Sequence, residues 1–292
     1  MPRAIVSITT ETCTEPNNHL AVRQNYKTGF KTNFTLCLNG VLKHANAKSS
    51  TLLEWIELNG LLGADHIFIY NFTGPAALDP YLKYYERKGV LTVLPWDLPI
   101  HFREDLDEFS HDFRIVWNYA QTAMLNDCLY RNMFVARYLV YLDLDEFIIP
   151  QEADVWTWRR MIKHAGKNCT KDVGSYCARN GFFQMAAVNI SNADTYNLTT
   201  ALHTVMFRKI KDCFGRSKYI IIPERVQLLN IHFVQEYYNG LYKACILSPS
   251  VGFLHHYRPL NRHKPTETNL AAWKFKENVI KRMDHVYDEV LK

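Results

Sequence analysis

The chain has 292 residues, 48% of them hydrophobic and 13% aromatic, which suits one large domain with a substantial core and excludes a disordered chain. Its 34 basic and 29 acidic residues leave a formal charge of +5, spread without a block of one sign, which excludes a nucleic-acid-binding tail. No run approaches the roughly 18 apolar residues of a membrane span, and the polar turn after Ile8 comes too soon for a signal peptide.

Residues 1–31 lack apolar periodicity and read as a tail. Asn33–Leu38 is the first expected strand. Leu52, Leu53, Trp55 and Ile56 then fall on a helix that stops at Gly60 or Gly63. His66–Asn71 is β-branched and aromatic and reads as a buried strand. Asp79 as N-cap, Pro80 at the first helical position and Gly89 just past the end frame the next helix, and Val90–Leu94 resumes as a strand. Strand, helix, strand in this spacing is a βαβ unit and implies an α/β fold with a mainly parallel sheet. Residues 95–112 read as a polar loop, Phe113–Met133 as a helix and Arg137–Asp143 as a strand. Further strands are expected near 175–185, 203–210 and 217–223. The domain spans 32–262, and 263–292 forms a C-terminal unit in which an amphipathic helix begins near Thr266, with Val279, Met283, Val286 and Val290 on one face.

The seven cysteines include no Cys-x-x-Cys pair, so a structural zinc site is not expected. Cys169 and Cys177 are near enough in sequence to close a small disulfide loop; the other reading makes the cysteines buried thiols. Sequons at Asn33, Asn71, Asn168, Asn189 and Asn197 lean toward the secretory pathway.

The chemistry centres on Asp143-Leu144-Asp145-Glu146-Phe147, where an apolar strand runs into carboxylates. Asp143 and Asp145 are two apart, so an extended backbone aims both to one side. Ligands bind at the carboxyl ends of strands in open parallel sheets. Two carboxylates there offer a hard oxygen site for Mn²⁺ or Mg²⁺, which can chelate a diphosphate. The same five residues recur at Asp105–Phe109 in polar surroundings, so the strand context selects the later copy. Adjacent His255 and His256 follow an apolar stretch, and either can supply a third ligand through a ring nitrogen. Arg216 and Lys218, just ahead of a strand, can neutralise a departing diphosphate; the plain alternative is a solvated turn.

Leu53–Ile56, Leu61–His66, Ile69–Asn71, Leu94–Trp96, Leu125–Arg131, Asp143–Phe147, Lys218–Val226 and His255–Arg258 resemble, in collinear order over about residues 34–260, glycosyltransferase family 92. The resemblance implies a GT-A type, Rossmann-like nucleotide-sugar fold over 32–262 with a metal-binding D-x-D. It also implies inverting transfer of galactose from UDP-galactose to fucose on N-glycans, in Golgi type II membrane proteins. The nucleotide is then expected across the strand ends at Asn71 and Asp143, near Asn126 and Asp127, with Asn71 unglycosylated. Inversion needs a general base opposite the leaving group, and Glu224, Glu236 and Asp212 are the candidates. A non-catalytic glycan-binding protein and a haloacid-dehalogenase-type phosphatase, whose nucleophilic Asp also sits in D-x-D, are the competing readings.

Overall fold

A computed structural model describes residues 29–43, 48–97, 120–166, 169–185, 194–259 and 264–291, and, nearer the N-terminus, 5–7, 9, 15 and 19–22. In that first segment β1 (Ile5–Val6) and β2 (Leu20–Ala21) form a two-residue antiparallel pair. The expected first strand is longer than the sequence suggests: β3 runs Thr32–Lys43. Helix α1 (Ser49–Leu62) ends at Gly63, whose φ of 117° lets its N–H turn back to the Asn59 carbonyl. Strand β4 (His66–Thr73), helix α2 (Asp79–Arg87) and strand β5 (Leu91–Pro95) follow as the expected βαβ unit. Asp79 opens α2 rather than preceding it, because a 3-10 turn at Ala76–Leu78 leads directly into the helix.

Helix α3 (Gln121–Asn132) occupies the described part of the helix expected from Phe113; residues 113–119 and the Asp105–Phe109 copy lie outside the described residues. Then come β6 (Ala136–Leu142), β7 (Glu146–Pro150) and α4 (Trp158–Ala165), the last capped by the Thr157 side chain accepting from the Arg160 N–H. The segment expected as one strand over 175–185 is two, β8 (Val173–Ala178) and β9 (Asn180–Gln184), which belong to different sheets. After the one-turn α5 (Thr199–Leu202) come β10 (Val205–Phe207), β11 (Lys218–Ile221), β12 (Val226–Leu229), β13 (Val234–Tyr237), β14 (Lys243–Ile246) and β15 (Gly252–Arg258). Thr266, expected to open a helix, lies instead in β16 (Thr266–Thr268), which pairs with β10; α6 begins later and spans Lys276–Val290.

The seven-stranded sheet has the order β14-β8-β11-β6-β3-β4-β5. It is mostly parallel, with β11 antiparallel to both its neighbours. A second, five-stranded sheet runs β16-β10-β9-β15-β7. The period of two divides the main sheet's side chains cleanly. Phe34, Leu36, Leu38, Ile67, Ile69, Val140 and Leu142 join a core with α1, α2 and α6, whereas Cys37, Tyr70, Leu139 and Tyr141 pack on Met124, Leu125 and Leu129 of α3. Each such Leu or Ile contributes about 1.5–3 kcal/mol on burial. Helix α6 docks through Val279, Met283 and Val286 as expected, and Arg282 reaches Glu57 at 3.4 Å.

Among the described residues six cysteines are paired, but not as the spacing suggests. Cys37 bonds Cys128, Cys169 bonds Cys245 and Cys177 bonds Cys213. The extended strand β8 carries Cys177 away from Cys169, and its neighbour β14 presents Cys245 instead.

Candidate active site

Three strands bring the site together at the end of the main sheet where β6 stops. Leu38 of β3 pairs with Leu142 of β6, so Asn39 meets Asp143, and its Nδ2 donates to Asp143 Oδ1 at 3.2 Å. Strand β11 runs the opposite way and starts at the same end, which puts Lys218 level with the end of β6. Trp55 of α1 donates its indole N–H to the Asp143 carbonyl at 2.9 Å.

The chain does not stay extended past β6. Residues 143–145 turn, the Glu146 N–H donates to the Asp143 carbonyl at 3.1 Å, and the Asp143 N–H donates to Glu146 Oε2 at 3.0 Å. The alternation that would point Asp143 and Asp145 the same way therefore does not apply. Asp143 and Glu146 instead share Lys218, whose Nζ lies 2.9 Å from Asp143 Oδ2 and 3.3 Å from Glu146 Oε2. Lys218 is fully buried, so it is no solvated turn residue. Burial disfavours its charge, but the two carboxylates outweigh that and hold the ammonium above its usual range. Burial pushes the Glu146 carboxyl up to about 7 despite the Lys218 charge.

Asp145 belongs to a second group. Glu146 and His256 are directly opposed on β7 and β15, and opposed residues share a face. His256 Nδ1 lies 3.2 Å from Glu146 Oε1 and 3.1 Å from Asn180 Nδ2, while its Nε2 lies 3.4 Å from Asp145 Oδ2 and accepts from Arg258 Nε at 2.9 Å. Burial opposes ionisation of Asp145, but His256 and then Arg258 outweigh it and hold the carboxyl below its usual range. Asp145, Glu146 and His256 can each aim one ligand atom so that all lie within 4.8 Å. Two carboxylates and an imidazole suit Mn²⁺ or Mg²⁺, and Glu146 Oε1 is buried without a hydrogen-bond partner.

His255 points to the other face of β15. It stacks on Phe183 at 4.3 Å, lies 3.0 Å from Gln151 through Nε2, and burial lowers it to about 3. Of the two histidines, the structure gathers only His256 with the carboxylates. Glu146, which sequence reasoning left out of the ligand set, belongs to both groups; its place in the turn and the opposition of β7 to β15 were the missing signals.

The remaining expected residues scatter. Asn71 stands at the end of β4, where its Oδ1 accepts from the Gly74 N–H at 2.8 Å. Asn126 ties α3 to β12 through both the N–H and the carbonyl of Leu229. Asp127 accepts from the buried Tyr70 hydroxyl at 2.7 Å and pairs with Arg131. Arg216 is exposed, and its carbonyl accepts from Asn180 Nδ2. Glu224 lies in the 3-10 turn Pro223–Arg225, beyond the far end of β11. Ile221 there pairs with Leu139, four residues before Asp143, and at about 3.3 Å per residue this sets Glu224 roughly 13 Å or more from the carboxylates. Glu224 therefore stands well away from the carboxylates at the end of β6. Glu236 is exposed on β13, where its charge acts on Tyr130 of α3. Asp212 is exposed in the turn just ahead of Lys218, at the site's own end of the sheet, with Arg179 at 3.7 Å.

The family model for Glycosyltransferase family 92 matches residues 32–291. The chain is 29% identical over 212 residues to a Caenorhabditis elegans protein named Beta-1,4-galactosyltransferase galt-1, covering 71% of this chain and 44% of that protein. It is 26% identical over 164 residues to the same organism's Glycosyltransferase family 92 protein C33H5.2, covering 56% and 30%. The chain thus spans less than half the length of these relatives. Among solved structures, GalNAc-T7 with UDP, GalNAc and Mn²⁺ overlays with a TM-score of 0.40 at 12% identity, covering 88% of this chain and 50% of that one. Staphylococcal TarS 1-349 in complex with UDP-GlcNAc overlays with a TM-score of 0.33 at 9% identity, covering 79% and 60%.

Proposed function

The chain belongs to glycosyltransferase family 92, and from that premise we propose that it transfers a hexose, galactose, from a UDP-sugar to a glycan acceptor with inversion and with the help of Mn²⁺ or Mg²⁺. One observation carries the reading: Asp145, Glu146 and His256 converge within 4.8 Å just past the end of β6 in the mostly parallel sheet, where the turn leads into β7 and its partner β15. Those three residues would hold the cation, which when bound supplies Lewis-acid charge for a departing diphosphate. Lys218 balances Asp143 and Glu146 in the dry interior and so keeps the turn in one shape. The exposed guanidinium groups of Arg216 and Arg258 stand ready for an anionic donor.

Galactose as the sugar is supported by the name of the relative at 29% identity; fucose on N-glycans as the acceptor rests on the family resemblance. Three disulfides favour folding in an oxidising compartment, in keeping with the Golgi. No described helix is long and apolar enough to cross a membrane. Asp212 becomes the general base of choice, since it alone of the three carboxylates considered stands at this end of the sheet. The test is release of UDP from UDP-galactose with Mn²⁺ and with EDTA, on the native chain and on Asp145→Asn and His256→Ala. Both variants and the chelated enzyme are expected to lose turnover. Full turnover in EDTA would overturn the reading, and glycan binding without any turnover would favour a non-catalytic binding protein.

A further inference from the structure

Building on the transferase reading, we propose that the turn ahead of Lys218 is a platform for the acceptor sugar, with Phe214 stacking on the apolar face of its pyranose ring and Phe233 flanking it. Phe214 is 68% exposed and sits at φ 74°, in the left-handed region that side chains with a Cβ disfavour. Arg216, two residues on, is at φ 64°. Such a conformation persists only where the surroundings fix it, and here they do. Cys213 is bonded to Cys177 at the base of the turn. The Phe214 N–H donates to Ser217 Oγ at 3.2 Å, and Ser217 Oγ donates to the His232 carbonyl at 2.9 Å. Asn180 Nδ2 donates to the Arg216 carbonyl at 2.7 Å. A large aromatic is therefore held rigidly toward water, with the Phe233 ring 5.8 Å away.

The position fits an acceptor rather than a donor. In the sheet order, β6 with Asp143 at its end divides the parallel strands β3, β4 and β5 from β11 and β8. A nucleotide belongs over the parallel half, whereas the 212–217 turn rises on the other side. Phe214 precedes Lys218 by four positions, at most about 14 Å at full extension, and Lys218 touches Asp143. A sugar presents an apolar C–H face ringed by hydroxyls, and sites that suit it combine an aromatic surface with a few polar atoms. Around Phe214 the exposed Asp212 and Arg216, two residues to either side, supply those atoms.

The probe is a fucosylated N-glycan core, used with the intact chain in galactose transfer and, separately, in titration calorimetry without donor. Phe214→Ala is expected to raise the acceptor KM and the glycan Kd about tenfold, the upper range for a stacked aromatic contact, with the donor KM within about twofold. Phe214→Trp should restore both. If the native chain binds the glycan and Phe214→Ala does not, while neither turns over, the platform stands and the transferase reading falls. Equal glycan affinity of the native chain and Phe214→Ala, or no glycan binding by the native chain, overturns the platform.

Discussion

Replacing Lys218 with methionine removes the ammonium that faces two carboxylates at 2.9 and 3.3 Å. At an effective dielectric of about 20 those separations correspond to gross attractions of roughly 6 and 5 kcal/mol. Desolvation of three ionic groups cancels most of that, and the Asp143 side chain, at 32% exposure, retains some contact with water. Removing one member of a buried pair typically costs about 3–5 kcal/mol, a large share of a total near 5–15 kcal/mol. The defect should depend on pH. Glu146 loses the positive charge that restrained its carboxyl, so it moves further above about 7. With the folded-state value raised above the unfolded one, the folded state takes up a proton as pH falls and gains stability relative to the unfolded chain. The loss in Lys218→Met is therefore expected to be largest near pH 8 and to shrink toward pH 5.5. Urea unfolding followed by tryptophan fluorescence at both pH values measures it. Lys218→Met with Glu146→Gln should regain at least half of the loss at pH 8. An unfolding midpoint for Lys218→Met equal to that of the native chain at both pH values would refute the argument.

Two further outcomes follow from the geometry. Asp212→Asn is expected to lose about 100-fold in transfer while still binding donor, as removal of a general base does, whereas Glu224→Gln keeps its turnover; steady-state rates on both variants decide, and normal turnover in Asp212→Asn moves the base elsewhere. Buried and neutral, His255 has a folded value near 3 against about 6.5 unfolded. The unfolded chain thus binds the extra proton between those values, and the native state loses stability as pH falls from about 6.5, with a slope approaching 1.4 kcal/mol per pH unit. His255→Phe should flatten that slope in urea titrations from pH 7 to 4.5, and an unchanged slope would show the proton goes to another group.

The first βαβ unit was legible because its signals are local. Gly63, Pro80 and Gly89 punctuate helices through their own backbone limits, and the β-branched run at His66–Asn71 needs no partner to be read. What escaped was decided at long range. The stretch near 175–185 reads as one strand, yet it divides at Arg179 because Ala178 and Asn180 answer to different neighbours, Lys218 in one sheet and Leu254 in the other. The acidic pentapeptide at 143–147 begins where β6 ends, as the apolar run before it suggests, but its geometry is not readable from alternation, since a turn intervenes before Glu146. Nothing local announces that Lys218 is buried, because lysine is seldom buried and its partners lie more than 70 residues earlier. The choice between His255 and His256 depends on the register of β15 against β7, which opposes His256 to Glu146, and a single strand carries no record of that.

The place of β11 in the main sheet bears on how the chain is made. Strand β6 is complete once Leu142 has been synthesised, but the neighbour that closes its outer edge, β11, ends at Ile221. About 80 residues must be added in between, some 4–16 seconds at ordinary elongation rates of about 5–20 residues per second. Throughout that interval the nascent chain carries an apolar strand, Tyr138-Leu139-Val140-Tyr141-Leu142, with one row of backbone donors and acceptors unpaired. Such an edge invites pairing with another copy of itself. The same holds for any fragment cut before Lys218, which is expected to aggregate however well its first βαβ unit forms. Closure of the edge also carries Lys218 to Asp143, so completion of the sheet and assembly of the site are one late event in synthesis.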